Sequence, residues 1–185
     1  MFINQLTVFI ENRTGRLDDV LESLKEAGIN IISLSLADSS EYGLLRMIVS
    51  KPEQAKEALR AKEFTAMLTP VLGVKLSHQV GQLQVLLAEI CKAGINIEYT
   101  YALATGNDDA SIVIKTADLE AAAEVLSKTG VELIKADELT KENNLSGKKV
   151  NLFHKTTGWN AKRRDTIWLS IFTPTFFRIK LRQRQ

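Results

Sequence analysis

The sequence predicts an α+β fold: two tandem ferredoxin-like (βαββαβ) modules with antiparallel sheets, followed by an atypical basic C-terminal tail. The first observation behind this prediction is a repeat, because the pentapeptide Ala-Gly-Ile-Asn-Ile at residues 27–31 returns at 93–97, an offset of 66 residues. The second is that apolar residues flanking the repeat match at the same offset. The third is that both copies alternate strand-like and helix-like apolar spacing in one order.

The first copy opens with an apolar, β-branched stretch, Phe2–Ile10, which predicts a strand. A polar turn follows, and apolar residues at helical spacing from Leu17 to Ala27 then predict a helix that Gly28 ends. Pro52 is typical of the first turn of a helix, and the alanines and leucine after it form an apolar face. Further strands are expected at residues 29–37, 43–50 and 64–69.

The second copy repeats this order, with strands expected at residues 71–77, 95–104, 110–116 and 131–134 and helices at 81–93 and 118–128. We therefore predict module 1 at residues 1–70, module 2 at 71–144 and a basic aromatic tail at 145–185. A module of about 70 residues buries only a small core. Pairing of modules, within one chain or in a homodimer, is expected because it covers apolar surface and strand edges.

Composition excludes several classes of protein. Of the 185 residues 45% are apolar and 25% are charged, which is typical of a globular chain, and no apolar run reaches the roughly 18 residues of a membrane span. The single cysteine, Cys91, excludes an internal disulfide and indicates a reducing compartment. A cytoplasmic location is expected, because the first residues also lack the features of a secretory signal. With one cysteine and two histidines, no metal site is expected.

Enzyme signatures are missing from the sequence. It contains no G-x-S-x-G elbow, no Walker A loop and no G-x-G-x-x-G fingerprint. Cys91 falls on or beside the apolar stripe of the helix predicted at 81–93, so we expect it to be a small core residue rather than a nucleophile. We expect neither catalytic activity nor a cofactor.

The polar loop between the first strand and the first helix is the candidate binding site of module 1. Gly15 lets a ligand approach the backbone, and the first amides of the helix favour a carboxylate. Asn12 adds a side-chain amide that both donates and accepts. Asn30, at the start of the second strand, returns as Asn96 although asparagine is a poor strand residue. The alternative is structural: Asn12 caps its own helix, and Asn30 belongs to the turn after Gly28.

These residues resemble the ACT domain, a small amino-acid-sensing module of metabolic enzymes. The resemblance rests on a strand, the pattern E-N-x-x-G-x-L, a helix, A-G-I-N-I and a second strand, and it covers about residues 1–140. The stretches 29–49 and 94–102 are similar to stand-alone tandem ACT proteins in particular. The resemblance implies a non-catalytic regulatory or sensor protein that holds a free amino acid at the interface between ACT modules. A homodimer is also expected, and an amino-acid biosynthetic enzyme is a candidate partner.

In ACT domains the first loop of one module and the start of the second strand of the other hold the carboxylate and ammonium of the ligand. Carried over, the resemblance implies these ligand-binding residues: Asn12, Gly15, Arg16, Leu17, Asn30 and Ile31 in the first copy, and His78, Gly81, Gln82, Leu83, Asn96 and Ile97 in the second. The second loop departs from the family, in which related proteins usually carry an acidic residue and a Pro-Gly pair. Neutral His78 offers an ammonium a hydrogen bond but no charge, so module 2 is expected to bind another ligand, to bind weakly or not to bind.

Three other functions compete with amino-acid binding. In the first, the modules serve only as a dimerisation scaffold without a ligand. In the second, the sheet binds nucleic acid. In the third, the fold is a small hydrolase in which Arg13 or Arg16 holds an anion. Nucleic-acid binding ranks low because residues 1–144 hold 14 basic and 21 acidic residues and few aromatic ones. A hydrolase ranks lower still, because no general base accompanies those arginines.

The tail at residues 145–185 differs in composition from the rest of the chain. It holds ten of the 24 Lys and Arg residues, one of the 22 acidic residues and both tryptophans, Trp159 and Trp168. Three interpretations stay open: a segment that binds an anionic membrane surface or nucleic acid, extra strands that dock on the sheet, or an unevolved extension such as an out-of-frame end. The abrupt change of composition favours the third.

Overall fold

The computed structural model describes residues 2–38, 42–77, 79–103 and 110–139. Its elements are β1 (Ile3–Glu11), α1 (Arg16–Glu26), β2 (Ile31–Asp38), β3 (Tyr42–Val49), α2 (Pro52–Ala61), β4 (Thr65–Leu76), α3 (Gln82–Lys92), β5 (Ile97–Ala102), β6 (Ala110–Thr116), α4 (Leu119–Lys128) and β7 (Leu133–Ile134). The predicted fold of two tandem ferredoxin-like modules is confirmed. None of the described helices is long and apolar enough to cross a membrane. The tail at 145–185 lies outside the described residues, so its interpretations stay open.

Each module is an antiparallel sheet with two helices on one face. The strand order is β2-β3-β1-β4-β6-β5, and β7 pairs with β4 on the side of module 2. The helix-facing sides of the sheets form two separate cores. Leu24 of α1 and Leu59 of α2 are fully buried in the first core, and Ile90 of α3 and Leu126 of α4 are fully buried in the second. The two helices of each module therefore cover their own sheet.

One strand, β4, joins the two modules. The sequence predicted separate strands at 64–69 and 71–77 with a break at Pro70, and this detail is wrong. Residues 65–71 pair with β1, whereas residues 72–76 pair with β6. Pro70 is tolerated because it lies in the half of β4 that forms the edge of the first sheet, where one side of the strand pairs with no other strand in the described part of the chain. The division of the chain at residues 70 and 71 stays a prediction, and that point falls inside a continuous strand of one compact unit.

The single cysteine, Cys91, is exposed, so the expectation of a small core residue is wrong. The core-facing positions of α3 are Leu86 and Ile90, and Cys91 lies about 100° further around the helix than Ile90. The residue that matches Cys91 in the first copy is Lys25, which is also exposed.

The sheet faces that carry no helices pack against each other, and we call this interface the seam. It contains a third core, built from both modules by Ile3, Ile48, Val71, Leu103, Val113, Ile134 and Leu139. None of these side chains is more than 4% exposed. The seam therefore holds the two modules back to back.

A hydrogen-bonded group of polar side chains lies in the seam beside the third core. Gln5 is fully buried, and its Nε2 donates to Thr7 Oγ1 and to the Tyr99 hydroxyl, at 2.9 Å each. The Tyr101 hydroxyl donates to Gln5 Oε1, also at 2.9 Å. Module 1 supplies the glutamine and module 2 supplies the tyrosines, so these bonds fix the position of one sheet relative to the other.

The tyrosines of the seam lie next to a cation. The guanidinium carbon of Arg46 is 4.1 Å from the centroid of the Tyr99 ring, and the rings of Tyr99 and Tyr101 stack at 6.5 Å. Burial, and then the neighbouring Tyr99, raise the pKa of Tyr101 well above its ordinary range, although Arg46 acts in the opposite direction. Tyr101 therefore keeps the proton that it donates to Gln5.

We predict that Tyr101→Phe lowers the free energy of unfolding by about 1–3 kcal/mol, because it leaves the buried Gln5 Oε1 without its donor. The double variant Gln5→Leu/Tyr101→Phe is expected to recover part of this loss, because the unpaired amide is then also removed. Urea unfolding of the wild type, both single variants and the double variant measures these differences. A loss below about 0.5 kcal/mol in Tyr101→Phe, which is ordinary for a surface substitution, would contradict the prediction.

The same tyrosine predicts a fall in stability at alkaline pH. Because folding raises the pKa of Tyr101, its contribution is complete below the pKa of an unfolded tyrosine, about 10, and is lost as the pH rises above that value. The loss approaches about 1.4 kcal/mol per pH unit for one proton. We expect the stability difference between the wild type and Tyr101→Phe to shrink between about pH 9 and pH 11. Urea unfolding across that range checks this, and a constant difference would refute it.

Candidate functional site

The two candidate loops have the same backbone geometry. Gly15 (φ 90°, ψ −23°) precedes α1, and Gly81 (φ 89°, ψ −10°) precedes α3, both in the left-handed region that favours glycine. A β-carbon at either position would meet no atom within 4 Å. Both loops therefore leave room beside the backbone at the start of a helix.

Neither α1 nor α3 begins with a side-chain cap from the described residues. By contrast, α4 is capped by Asp118, whose Oδ1 accepts a hydrogen bond from the Ala121 amide at 2.9 Å. Asn12 is exposed and does not cap α1, so the structural alternative for this residue is wrong. The N–H groups at the start of a helix and the positive end of its dipole favour an anion.

The charges near the two helix starts differ. Asp18 and Asp19 lie in the first turn of α1 and offset the positive end of its dipole. The first turn of α3 contains no acidic residue. On electrostatic grounds alone, the start of α3 is therefore the more favourable of the two for a carboxylate.

Arg16 is engaged within its own module. Its guanidinium carbon lies 4.6 Å from the centroid of the Phe64 ring, beside a pocket of about 300 Å³ between α1 and residues 62–64. Its Nη1 is 3.2 Å from Asp19 Oδ2, and its Nε is 3.6 Å from Glu11 Oε2. Two carboxylates thus lie beside Arg16, and Glu11 pairs with Arg13 as well. Arg16 Nε is buried and makes no hydrogen bond within the described residues.

Three of the predicted site residues point their side chains into cores. Leu17 and Ile31 pack against the first core, and Ile97 packs against the second. These side chains are only partly buried, so each combines packing against its core with some exposure to solvent.

The second loop is described in part. His78 lies outside the described residues. Gln82 Nε2 donates to Gln79 Oε1 at 3.2 Å, and Leu83 is 42% exposed. Gly81 is exposed as well, so the described part of this loop is open to solvent.

Asn30 lies at the opposite end of module 1 from Asn12. Its N–H donates to Ser50 Oγ at 3.0 Å and its carbonyl accepts from the Ser50 N–H at 2.9 Å, which ties it to the end of β3. Both β1 and β2 are antiparallel to β3, so they run in the same direction, and α1 returns the chain over 11 residues, about 16 Å. Asn12 follows the end of β1 and Asn30 precedes the start of β2, so one module cannot bring the two together.

The asparagine of module 2 lies at the same end of the molecule as Asn12. Along β5, Tyr99 contacts Arg46, and further on the carbonyl of Ala102 accepts a hydrogen bond from Ser33 Oγ at 2.9 Å. This order shows that β5 runs opposite to β1, so its start, next to Asn96, lies toward the end of β1. By the same reasoning, β4 leads to the second loop at the end of the molecule where Asn30 lies.

The sequence analysis did not predict the hydrogen-bonded polar side chains in the seam. Its residues occupy alternate positions, with Gln5 and Thr7 on β1 and Tyr99 and Tyr101 on β5. Such alternation places them on one face of each strand, but nothing local indicates that the two faces meet. The described residues contain no group of three or more His, Cys, Asp or Glu side chains that could hold a metal ion.

Two βαββαβ modules joined by a shared strand, each with a left-handed glycine before its first helix, define a tandem ferredoxin-like protein. The family model of the ACT domain pair matches residues 1–143, so the chain belongs to the ACT domain pair family. The resemblance seen in the sequence is therefore confirmed. No curated protein matches this chain.

Solved structures show the same fold. A protein from Bacteroides thetaiotaomicron is 36% identical, with a TM-score of 0.71 over 76% of this chain and 97% of that one. The regulatory subunit of aspartate kinase from Thermus thermophilus, in its ligand-free form, is 20% identical, with a TM-score of 0.50 over 69% and 93% of the two chains. The same subunit from Thermus flavus is 18% identical, with a TM-score of 0.50 over 69% and 94%. At these identities the two kinase subunits show the fold alone.

We predict that Gly15→Ala and Gly81→Ala each lower the free energy of unfolding by about 1–2 kcal/mol, because both positions require a positive φ. The loss is one of backbone strain, since the added methyl group meets no neighbour within 4 Å. Asn12→Ala is the matched control, and because Asn12 caps no helix its effect is expected to stay within about 0.5 kcal/mol. Urea unfolding checks all three variants, and equal stability of the glycine variants and the wild type would contradict the geometry.

Proposed function

We propose that this protein is a non-catalytic regulatory protein that binds a free amino acid between ACT modules. The observation that supports the proposal most is the open start of two helices at equivalent glycines, Gly15 and Gly81, without a side-chain cap from the described residues. An α-carboxylate, which every amino acid carries, matches the unpaired N–H groups of such a helix start.

Asn12 is proposed to recognise the charged head of the ligand. Its side-chain nitrogen donates to the carboxylate, and its oxygen accepts from the ammonium, so one amide serves both groups. The backbone N–H group of Leu17, in the first turn of α1, completes the carboxylate site, whereas the N–H group of Arg16 donates to the Arg13 carbonyl at 3.4 Å. The Arg16 side chain holds the shape of the loop through Glu11 and Asp19.

The second contact is proposed to come from the other module. Asn96 precedes β5 at the end of the molecule where β1 ends, which pairs the first loop with Asn96. The second loop, with Gly81, Gln82 and Leu83, is paired in the same way with Asn30. A second chain in a homodimer is the alternative source, because β2 and β5 are the end strands of the described sheet order.

The two loops are proposed to bind with different affinities. The missing acidic residue near His78 weakens the hold on an ammonium, whereas the lack of acidic residues in the first turn of α3 strengthens the hold on a carboxylate. Ligand identity comes from the side-chain pocket, where one methylene changes the affinity by only about 1–3 kcal/mol.

The biological setting is proposed from the family. Aspartate kinase regulatory subunits share this fold. We therefore propose that a cytoplasmic amino-acid biosynthetic enzyme is the partner, and that ligand binding changes the interaction of this protein with that enzyme. In this proposal the protein itself carries out no reaction.

We predict that a panel of the twenty amino acids contains at least one that raises the melting temperature of the full chain, and that Asn12→Ala and Asn96→Ala weaken its binding about tenfold to a hundredfold. One hydrogen bond to a charged group contributes about 1.5–3 kcal/mol, which gives this range. Isothermal titration calorimetry measures the affinity of each variant and the number of sites.

The matched control is Asn4→Ala, since Asn4 is an exposed asparagine of β1 outside both loops. Asn30→Ala is expected to act on the second site and to leave the first unchanged. Unchanged affinity in Asn12→Ala would remove this residue from the site. A panel in which no amino acid changes the melting temperature would favour the dimerisation scaffold.

A further inference from the structure

The seam contains a half-buried cation that has no carboxylate partner among the described residues. The described part of the chain has five half-buried basic side chains, and four of them lie within 4.0 Å of a carboxylate oxygen: Arg16, Lys56, Lys75 and Lys115. Arg46 is the fifth, and no carboxylate of the described residues lies within this distance of its guanidinium. A cation that is partly removed from water without a counter-charge is unfavourable.

The ring of Tyr99 compensates this charge only in part. It covers one face of the guanidinium at 4.1 Å from the ring centroid, which is a favourable cation–π contact. A ring carries no net charge, however, and the Arg46 guanidinium has no nitrogen that is both buried and unpartnered, so its edge can bond to water or to an anion. The edge of the Arg46 guanidinium is therefore available to bind an anion.

Two hydroxyl groups flank Arg46 in the first sheet. Thr7 is its direct partner on β1, and Ser35 is its direct partner on β2. Directly paired residues of antiparallel strands point to the same face, and the strands lie about 4.8 Å apart, so the three side chains form a row across the sheet. The Thr7 hydroxyl accepts from Gln5 and keeps its own hydrogen to donate, and the side-chain hydroxyl of Ser35 makes no hydrogen bond within the described residues.

We infer that Arg46, Thr7 and Ser35 form a binding site in the seam for a small oxyanion, that is, for a carboxylate or phosphate group. All three side chains offer hydrogens, and a guanidinium binds such a group through two parallel N–H bonds. Glu98, the residue before Tyr99, pairs with Lys115 rather than with Arg46. The site is separate from the two loops, and its existence does not depend on amino-acid binding.

The second module lacks this row. Its matching residues, which pair with one another in the second sheet, are Gly73, Val113 and Tyr101. A glycine and a valine offer no side-chain donor, and the Tyr101 hydroxyl is already bonded to Gln5. The inference therefore requires one oxyanion site per chain.

The test is calorimetric titration of the full chain with inorganic phosphate and, separately, with acetate, at constant ionic strength set with sodium chloride. We expect one site per chain for at least one of the two anions. Arg46→Met should abolish this binding, and Ser35→Ala should weaken it about threefold to tenfold, as the loss of one ordinary hydrogen bond does. Arg46→Lys keeps the charge without the planar fork and should bind with an affinity between those of the wild type and Arg46→Met.

Arg60→Met is the matched control, because Arg60 is an exposed arginine at the end of α2. It should leave the affinity unchanged. Because Arg46 lies outside both loops, a loss of binding in Arg46→Met separates this inference from the proposed amino-acid site. A preference for phosphate over acetate, or the reverse, identifies the group that the site takes. Equal binding by the wild type and Arg46→Met, or no binding of either anion beyond that of chloride, would overturn the inference.

Discussion

The packing of the two helix-free sheet faces is the constraint on which the rest of the structure depends. Each module alone has only a small core, and the seam adds a third one whose side chains come from both. A buried amide at Gln5 is acceptable there because both tyrosines of β5 satisfy it. An apolar interface without this group would tolerate small shifts, whereas hydrogen bonds of fixed length do not.

This packing decides which parts of the two modules lie near one another. Because β5 runs opposite to β1, each helix-opening loop shares an end of the molecule with the strand-starting asparagine of the other module. The back-to-back arrangement also leaves β2 and β5 at the two ends of the sheet order. The seam holds one chain together. A ligand between modules would lie at an end of the molecule, and a second chain would contact the end strands β2 and β5, so neither would use the seam.

Local sequence patterns were sufficient for the repeat, the order of elements and the two glycine loops, because a helix start or a strand is encoded within about ten neighbouring residues. They failed where the outcome depended on distant partners. Gln5 and Tyr99 are 94 residues apart, and no periodicity links them. Pro70 looked like a break only because its place at a sheet edge was unknown. Cys91 lies one residue beyond the core position Ile90, and one residue rotates a side chain out of the core.

The continuous strand β4 has a mechanical consequence. A Gly/Ser-rich linker between two domains behaves as a flexible coil and absorbs motion between them. Here the connection is a ladder of backbone hydrogen bonds on both sides of residues 70 and 71, and a strand resists stretching while it allows a change of twist. A rotation of one module against the other would therefore have to twist β4 and also separate the side chains of the third core, so this connection is stiffer than a linker.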